Sequence, residues 1–387
     1  MAIRIIQIVR GFGPAGGASG VAYELHRRFR EAGADAHVIT GKLDGITVPP
    51  DEGVALVASR VVALEKLRQP WRRMTLPLTT SAFGIAAGAR LRQLSGENAG
   101  DRRLVISHGD YTGGDVLVLH SVHAAALKEA WDSGDRRFLL NPLHPWLMAR
   151  NRLVYRRGRH RKLVVVGSRL LAELEHWHGV SGERVVHIPN GIDVDRFHPS
   201  RRGERRRILA GLGIDPDSPV ILFAGHEFER KGLDLAVQAL ARMETQAQLL
   251  VVGDDDPARF RTLAARLGVD GRVHFAGRRE DMPDLYGAAD AFLLPSRYES
   301  FALVCIEALA TGVPVVAPRI GGVEDYVVDS VNGFLVDREA GPIADALDRL
   351  LGDPEMHSKM AAAARSSALA FDWREIARRY LDLLESL

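Results

Sequence analysis

Glu299 and Glu307 bracket the run Ser300-Phe301-Ala302-Leu303-Val304-Cys305-Ile306. Read as one helix rising about 1.5 Å per residue, the eight-residue spacing puts the two carboxylates roughly 12 Å apart and on nearly one face. A carboxylate pair that cleaves a glycosidic bond with retention needs a gap of about 5 Å, so that chemistry is excluded. The spacing suits two acids gripping two distant hydroxyl groups of one elongated ligand. Ser300 is the expected N-cap. The amides of Phe301, Ala302 and Leu303 would then leave a helix N-terminus free, a seat for a diphosphate. A plainer alternative stays open, with Glu299 as a capping acid and Glu307 as a solvated side chain.

A second cluster, Gly225-His226-Glu227-Phe228-Glu229-Arg230-Lys231-Gly232, follows an apolar run and opens a helical pattern. Arg230 and Lys231 at a helix start could neutralise phosphate. The loop lacks the G-x-x-x-x-G-K-S/T pattern of a Walker loop, and a basic surface turn is the alternative. Asp254-Asp255-Asp256 contains a D-x-D, but acids ahead of Pro257 are explained by capping and the helix dipole. No His, Asp or Cys spacing elsewhere suits a metal. His108, with Asp110 and Asp115, falls just past the run Leu104-Val105-Ile106-Ser107, where chemistry tends to sit in a parallel sheet. A structural histidine is the equal alternative; His120, His123, His144 and His160 are weaker candidates.

Gly11-Phe12-Gly13-Pro14-Ala15-Gly16 matches the dinucleotide fingerprint G-x-G-x-x-G, yet its context does not fit. Pro14 stiffens the loop, and Gly16-Gly17-Ala18-Ser19-Gly20 delays the helix, expected over 21–32. The second strand is expected to end at Thr40-Gly41, where a ribose-binding acid should stand. The better reading is a loop whose bare backbone at Gly16 and Gly17 approaches a ligand, with the helix aiming its positive end at negative charge. Residues 150–162 carry seven basic side chains among Leu153, Val154 and Tyr155. They suit an anionic membrane surface or a solvated helix face.

Positioning these residues requires a sheet scaffold. Apolar runs alternate with helical patterns: strands at Ile3 to Val9, Ala36 to Thr40, Val54 to Val57, Leu104 to Ser107, Val116 to His120, Lys162 to Val166 and Arg184 to Ile188. After a polar, basic break at 199–207, expected to be an exposed linker or solvated first helical turn, the alternation resumes from Val220 to Ala317 and ends in helices at 341–352 and 355–387. Such alternation predicts two parallel, doubly wound α/β domains facing across a cleft that holds the ligand. The 387 residues are enough for about two to three domains. With 46% hydrophobic residues and a formal charge of +2, the chain is neither disordered nor a nucleic-acid-coating protein. Cys305 is the single cysteine, so no internal disulfide is implied. No run reaches the roughly 18 apolar residues of a membrane span. Met1 to Val9 reads as a buried strand rather than a leader, so a cytoplasmic protein is expected.

Val186-His187-Ile188-Pro189-Asn190-Gly191-Ile192-Asp193, Arg230-Lys231-Gly232 and the Glu299 to Glu307 stretch occur in this order after the Gly-rich loop. Together they resemble the retaining glycosyltransferases of family 4, which have the GT-B fold. The resemblance covers nearly the whole chain and is most specific from 185 to 336. Phe223 to Leu240, Val251 to Val269 and the His274-Phe275-Ala276-Gly277 turn look most like bacterial lipopolysaccharide-core glucosyltransferases. The resemblance implies residues 1–198 as an acceptor-binding domain, 199–370 as a nucleotide-sugar domain, and 371–387 as a helix crossing back. The implied donor is a UDP-sugar, with no metal and no other cofactor. By similarity Glu307 holds the ribose and Glu299 the donor sugar. Lys231 and Arg230 neutralise the diphosphate, while Phe301, Ala302 and Leu303 supply amides. Gly16 and Gly17 meet the phosphate, and His108 lies near the transferred sugar. His226 departs from the pattern, since many members carry Arg there. The implied partners are the donor and a glycan or glycolipid acceptor, with an anionic surface on the inner membrane as a docking place and no nucleic acid. A small soluble acceptor, an epimerase and a non-catalytic nucleotide-sugar binder remain as alternatives.

Overall fold

The computed structural model describes residues 3–14, 16–49, 52–66, 71–96, 102–132, 134, 141 and 143–387. It divides into two compact units: the first runs to Asn190 and includes Trp373–Leu387, and the second is Gly191–Asp372.

The first unit holds β1 (Ile3–Phe12), β2 (Asp35–Leu43), β3 (Val54–Leu56), β4 (Arg102–Ser107), β5 (Val116–Leu119), β6 (Lys162–Val165) and β7 (Val185–His187). They form one seven-stranded sheet in the order β3-β2-β1-β4-β5-β6-β7, and every pairing is parallel. β5 reads as an unbroken apolar run, and the centre of β1 is apolar except for Gln7, because a parallel sheet is covered on both faces. Ile6, Ile8, Ile39, Phe83 and Val105 pack on one side, and Val9, Phe12, Ala22 and Val38 pack together in a second cluster. The helix Trp373–Glu385 lies against the helix Ala18–Glu31.

The second unit holds β8 (Val220–Ala224), β9 (Gln248–Val252), β10 (Val273–Gly277), β11 (Ala291–Leu293), β12 (Val315–Ala317) and β13 (Gly333–Leu335). Their order is β10-β9-β8-β11-β12-β13, again all parallel. Phe228 meets both Phe223 and Phe260 edge-on inside a core that also takes Leu233, Val251 and Leu347. Each such fully buried side chain contributes roughly 1.5–3 kcal/mol of transfer free energy.

In both sheets the strand order reverses beside the first strand of the unit, between β1 and β4 and between β8 and β11. Loops leaving the carboxyl ends of strands at such a reversal diverge and leave room for a ligand.

Two expectations are corrected, and one helix is new. The basic segment 199–207 is not a linker: Arg202 and Arg205 both pair with Asp290 (2.6 and 3.0 Å), and Arg201 reaches Asp284 (3.3 Å). A buried carboxylate at the edge of β11 needs those cations, so the segment is docked onto the second unit. The tail is not one helix over 355–387. Pro354–Ala368 ends in a tight turn at Leu369–Phe371 before Trp373–Glu385 begins. A helix over Trp71–Gly96 was not anticipated, because its polar residues and the internal Pro77 hide any apolar face. Among the described residues no helix is long and apolar enough to cross a membrane.

Candidate functional site

The carboxyl ends of β8 and β11 carry the charged cluster of the second unit. β8 leads through Glu227, a left-handed residue (φ 56°), into the short helix Phe228–Lys231. β11 leads into a loop that carries Ser296 and Glu299. Lys231 Nζ donates to Glu299 Oε1 at 2.5 Å, Ser296 Oγ donates to the same oxygen at 2.9 Å, and Arg230 Nη1 stands 3.5 Å from it. The Lys231 and Glu299 side chains are each only 11% exposed, so this pair is shielded from water and its partners are held rather than loosely screened. Arg230 also donates to the Tyr298 carbonyl (2.7 Å).

Two glycines allow this approach. A side chain at Gly232 would sit 2.2 Å from the Pro295 carbonyl oxygen, and one at Gly321 would sit 1.6 Å from that of Glu299. Both have positive φ, 80° and 39°. The backbone of each loop is therefore pressed against the other with no room for a Cβ.

The expected helix start is corrected. Ser300 is not the N-cap: the helix is Leu303–Ala310, and its N-cap is Ala302, left-handed at φ 54°. Glu299 lies in the preceding loop, so Glu299 and Glu307 do not share one helical face. Tyr326 Oη donates to the carbonyls of Phe301 (2.6 Å) and Ala302 (3.0 Å), and this grip holds the turn. Glu227 and Ala302 are two of the four non-glycine residues with positive φ among the described residues. Backbone strain of this kind costs about 1–3 kcal/mol and persists where surrounding structure over-determines it.

Glu307 is not solvated. Tyr286 Oη donates to its Oε2 at 2.8 Å. Burial pushes the carboxyl up to about 7; the Tyr286 bond and the charge of Arg196 oppose that shift without cancelling it. Burial also drives the Tyr286 phenol well above its ordinary range, with Glu307 adding to the effect. Tyr286, Ser296 and Gly321 carried no local signal in the sequence. Tyr286 lies 21 residues from Glu307 and Gly321 acts only through its backbone; Ser296 is three residues from Glu299, but that bond is made within a loop whose shape no helix or strand spacing describes.

The acids Asp254 to Asp256 tie the loop after β9 to the loop after β8 and cap their own turn. Asp254 bonds His226, Asp255 accepts from the Phe228 amide (2.8 Å), and Asp256 accepts from the Ala258 amide (2.9 Å). Among the described residues no group of three or more His, Cys, Asp or Glu could hold a metal ion.

The first unit presents a different kind of site at its own reversal point. Gln7 of β1, His108 after β4 and His120 after β5 form a row across three adjacent strands. His108 Nε2 lies 2.9 Å from Gln7 Oε1, and its Nδ1 lies 3.2 Å from His120 Nε2. Burial pushes His108 well below its usual range, with His120 adding to it, and pushes His120 down to about 4. Both imidazoles are neutral at pH 7. Next to them is a cavity of about 240 Å³ lined by His108, Asp110, His120, His123, Arg150 and Tyr155 among others. Arg150 donates to the carbonyls of Gly109 (2.7 Å) and Asp110 (3.2 Å). Asp115 stands apart: it accepts from the Val105 amide (2.9 Å) and fixes strand geometry. His123 pairs with His144 at 3.0 Å, and His160 is buried away from the cavity.

In the Gly-rich loop, Ala15 lies outside the described residues. The helix starts at Ala18 rather than 21, with Gly17 at φ 72° before it. The second strand does not stop at Thr40-Gly41; β2 runs to Leu43, and Asp44 follows. That acid is spent on its own loop, receiving the Ser19 hydroxyl (3.1 Å) and Lys42 (3.1 Å) while its amide donates to the Phe12 carbonyl (2.9 Å). Gly16 and Gly17 have open space where a side chain would stand. In the helix Leu143–Arg157 the basic groups divide. Arg150 and Arg156 donate to carbonyls, Arg156 while staying exposed, and Arg152 and Arg157 are exposed beside Leu153.

Comparison with known proteins agrees with this layout. A family model described as glycosyl transferases group 1 matches residues 204–367, and one described as glycosyltransferase family 4 matches residues 15–196. The chain is 40% identical over 223 residues to a D-inositol 3-phosphate glycosyltransferase of Xylanimonas cellulosilytica, covering 54% of this chain and 53% of that one. It thus spans about half the length of that relative. It is 30% identical over 397 residues to the enzyme of the same name from Acidothermus cellulolyticus, covering 94% of this chain and 84% of that one. The lipopolysaccharide glucosyltransferase WaaG of Escherichia coli is 30% identical over 236 residues, 60% of each chain. A WaaG crystal structure superposes with a TM-score of 0.77 at 23% identity, covering 98% of this chain and 99% of that one. Anabaena HepE in complex with UDP and glucose gives 0.70 at 22% identity, covering 99% of this chain and 100% of that one. At such identity these structures speak for the fold alone.

Proposed function

The chain belongs to the family 4 glycosyltransferases of the GT-B fold, and we propose that it moves a hexose, glucose first among them, from a UDP-sugar to a hydroxyl of a lipid-linked or envelope glycan, with retention at the anomeric carbon. The observation that carries this reading is the shielded cluster of Lys231, Arg230, Ser296 and Glu299 at the β8/β11 reversal. It offers cations for a departing diphosphate and a fixed carboxylate for sugar hydroxyls in one place.

In this reading Lys231 and Arg230 lie between Glu299 and the diphosphate, and the N-terminus of Leu303–Ala310 faces it with the amides of Phe301, Ala302 and Leu303. Preorganised cations and dipoles can neutralise a leaving group without a divalent metal. Glu307, held by Tyr286, takes the ribose. Gly16 and Gly17 supply unhindered backbone to the phosphate, and His108 belongs to the surroundings of the transferred sugar. The bond from the anomeric carbon to the diphosphate breaks, and the acceptor oxygen bonds that carbon on the same face. The acceptor proton goes to the departing phosphate oxygen.

Arg152 and Arg157, exposed beside Leu153, support a contact with anionic lipid at the cytoplasmic side of the inner membrane. Sedimentation with anionic vesicles tests it: salt-sensitive binding is expected, and its absence removes the membrane arm. A second reading, a small phosphorylated polyol acceptor, is favoured by the naming of the relatives matched along most of the chain. The deciding experiment is a transfer assay with labelled UDP-glucose, offered either a glycolipid extract or D-inositol 3-phosphate, with product stereochemistry read by NMR. Thermal shifts with UDP and GDP decide the nucleotide, since selective binding raises the melting temperature. Stabilisation without turnover would favour a binder, and inversion would end the retaining mechanism.

A further inference from the structure

Glu307 has one oxygen engaged and one open. Oε2 accepts the Tyr286 phenol at 2.8 Å, and among the described residues Oε1 has no protein partner. The residue is half-buried, so that oxygen is not sealed from a ligand. Tyr286 is 0% exposed and wedged between Phe197 and Phe292, with ring centroids at 5.8 and 5.5 Å. Packed on both flanks, the phenol cannot swing away from the carboxyl. Arg196 adjoins Phe197 in the chain, and its guanidinium lies over that ring, 5.4 Å from the centroid. The side chain is exposed and makes no ion pair among the described residues. Its charge nevertheless acts on Glu307.

We propose that Tyr286 and Arg196 are positioning residues for the nucleotide sugar: the phenol locks one oxygen of Glu307, the guanidinium favours its charged form, and the open Oε1 is presented as a fixed acceptor to a vicinal pair of hydroxyls. This rests on the reading above that Glu307 takes the ribose, and it adds the two groups that ready the carboxyl for that task. Two hydroxyls can both donate to an ionised carboxylate, whereas a carboxylic acid competes with its own proton. Burial works against the charged form and lifts Glu307 to about 7, with Tyr286 and Arg196 opposing. Near pH 7 the empty site is thus divided between acid and carboxylate, and a ligand that takes the carboxylate expels the proton. Affinity should rise with pH through 7 and then level off. The other groups around the helix Leu303–Ala310 do not blur this. Burial pushes the Cys305 thiol far up, so it stays protonated. Arg365 is turned to the Ala310 carbonyl at the far end. His226, beyond β8, would act in the opposite sense, since a histidine gains charge and phosphate affinity as pH falls.

Calorimetric titration of the full chain with UDP-glucose, whose phosphates do not titrate near neutrality, tests it without needing turnover. Run in buffers of different ionisation heat, it counts the protons released on binding. About half a proton is expected at pH 7, from a group half protonated when free, and none in Glu307→Gln. Arg196→Gln is expected to weaken binding about twofold at pH 6.5 and not at pH 8.5, with an unchanged melting temperature. Arg196→Lys should restore wild-type behaviour. Tyr286→Phe should weaken binding about tenfold at pH 6.5, again fading by pH 8.5. Binding without proton release overturns the proposal, and so does an Arg196→Gln loss of equal size at both pH values, which is what a merely structural role would give. Should the wild-type chain bind no nucleotide sugar, the donor reading falls. The two positioning roles then stand or fall on the free protein, where the Glu307 carboxyl 13C signal should titrate at about 7 and higher in both variants. A wild-type midpoint near the ordinary 4.5 would overturn them.

Discussion

The two units use the same topology and opposite electrostatics. At the β8/β11 reversal the polar groups are ions: Lys231 and Arg230 hold Glu299, and each charge is paid for by a neighbour. At the β1/β4 reversal the buried row is neutral: an amide and two imidazoles are ordered by hydrogen bonds, with the charged Arg10, Asp110 and Arg150 beside it. A parallel sheet with a reversed strand order supplies a crevice in either case. What the crevice can do is set by whether its groups are charged. An ionic cluster suits a diphosphate, whose charge must be compensated. A neutral row suits hydroxyl groups, for which a fixed direction matters more than charge.

The largest effect should come from the ionic side. Lys231→Ala is expected to cut transfer about 100- to 1000-fold, as loss of a group that stabilises leaving-group charge usually does. It also leaves Glu299 shielded and short of its nearest cation, at a cost of a few kcal/mol, on the order of 3. Lys231→Arg should keep the fold and part of the rate. Single-turnover kinetics beside thermal unfolding reads both. Near-normal turnover in the alanine variant would erase the distinction between the two crevices.

A pair of glycine substitutions sharpens the contrast. In Gly321→Ala the new methyl would collide with the Glu299 carbonyl, at 1.6 Å in the present geometry. Both stability and transfer should fall, stability by about 1–3 kcal/mol. Gly16 has nothing within 4 Å of the same position. Gly16→Ala should leave stability within about 0.5 kcal/mol. If a phosphate approaches its backbone, donor KM should rise roughly tenfold through simple obstruction. A Gly16→Ala enzyme with unchanged KM would remove that loop from the donor site. Calorimetry and initial rates on the two variants are sufficient.

The sheets were legible because buried parallel strands write themselves as apolar runs. β5 and β8 are such runs and β1, β4, β9 and β11 are largely so, and the ends of β1, β4, β8 and β11 locate Gly16, His108, Lys231 and Glu299. The local backbone was less legible. Ser300 has the side chain of an N-cap, yet Ala302 occupies that place because Tyr326, 24 residues on, holds the carbonyls of the turn. Tyr286 reads as a helix-core aromatic, and only the fold brings its hydroxyl to Glu307. Asp44 was missed because β2 extends beyond Gly41, a residue that usually ends a strand. The basic run after Pro199 looked solvated since its acid, Asp290, lies some 85 residues away. In each case the missing information was a tertiary partner, which spacing cannot encode.

The smallest effect separates the units by the sign of their pH response. An unfolded glutamate titrates near 4.5, whereas Glu307 in the fold titrates near 7. Between those values the native state keeps a proton that the unfolded chain has lost. Its contribution is therefore full below 4.5 and fades as pH rises through 7. His120 runs the other way, from 6.5 unfolded to about 4 folded. There the unfolded chain holds the extra proton, so the contribution is full above 6.5 and is lost as pH falls through 4. Glu307→Gln should therefore gain stability relative to wild type at pH 8 and not at pH 4. His120→Asn should gain at pH 4 and not at pH 8. Each gain should be on the order of 1 kcal/mol, or about 2 °C in melting temperature for a chain of this size. Melting curves of the two variants across that range, compared with wild type, give the slopes directly. Differences of the same sign in both variants would mean that the charged and neutral crevices are not the opposites their hydrogen bonds describe.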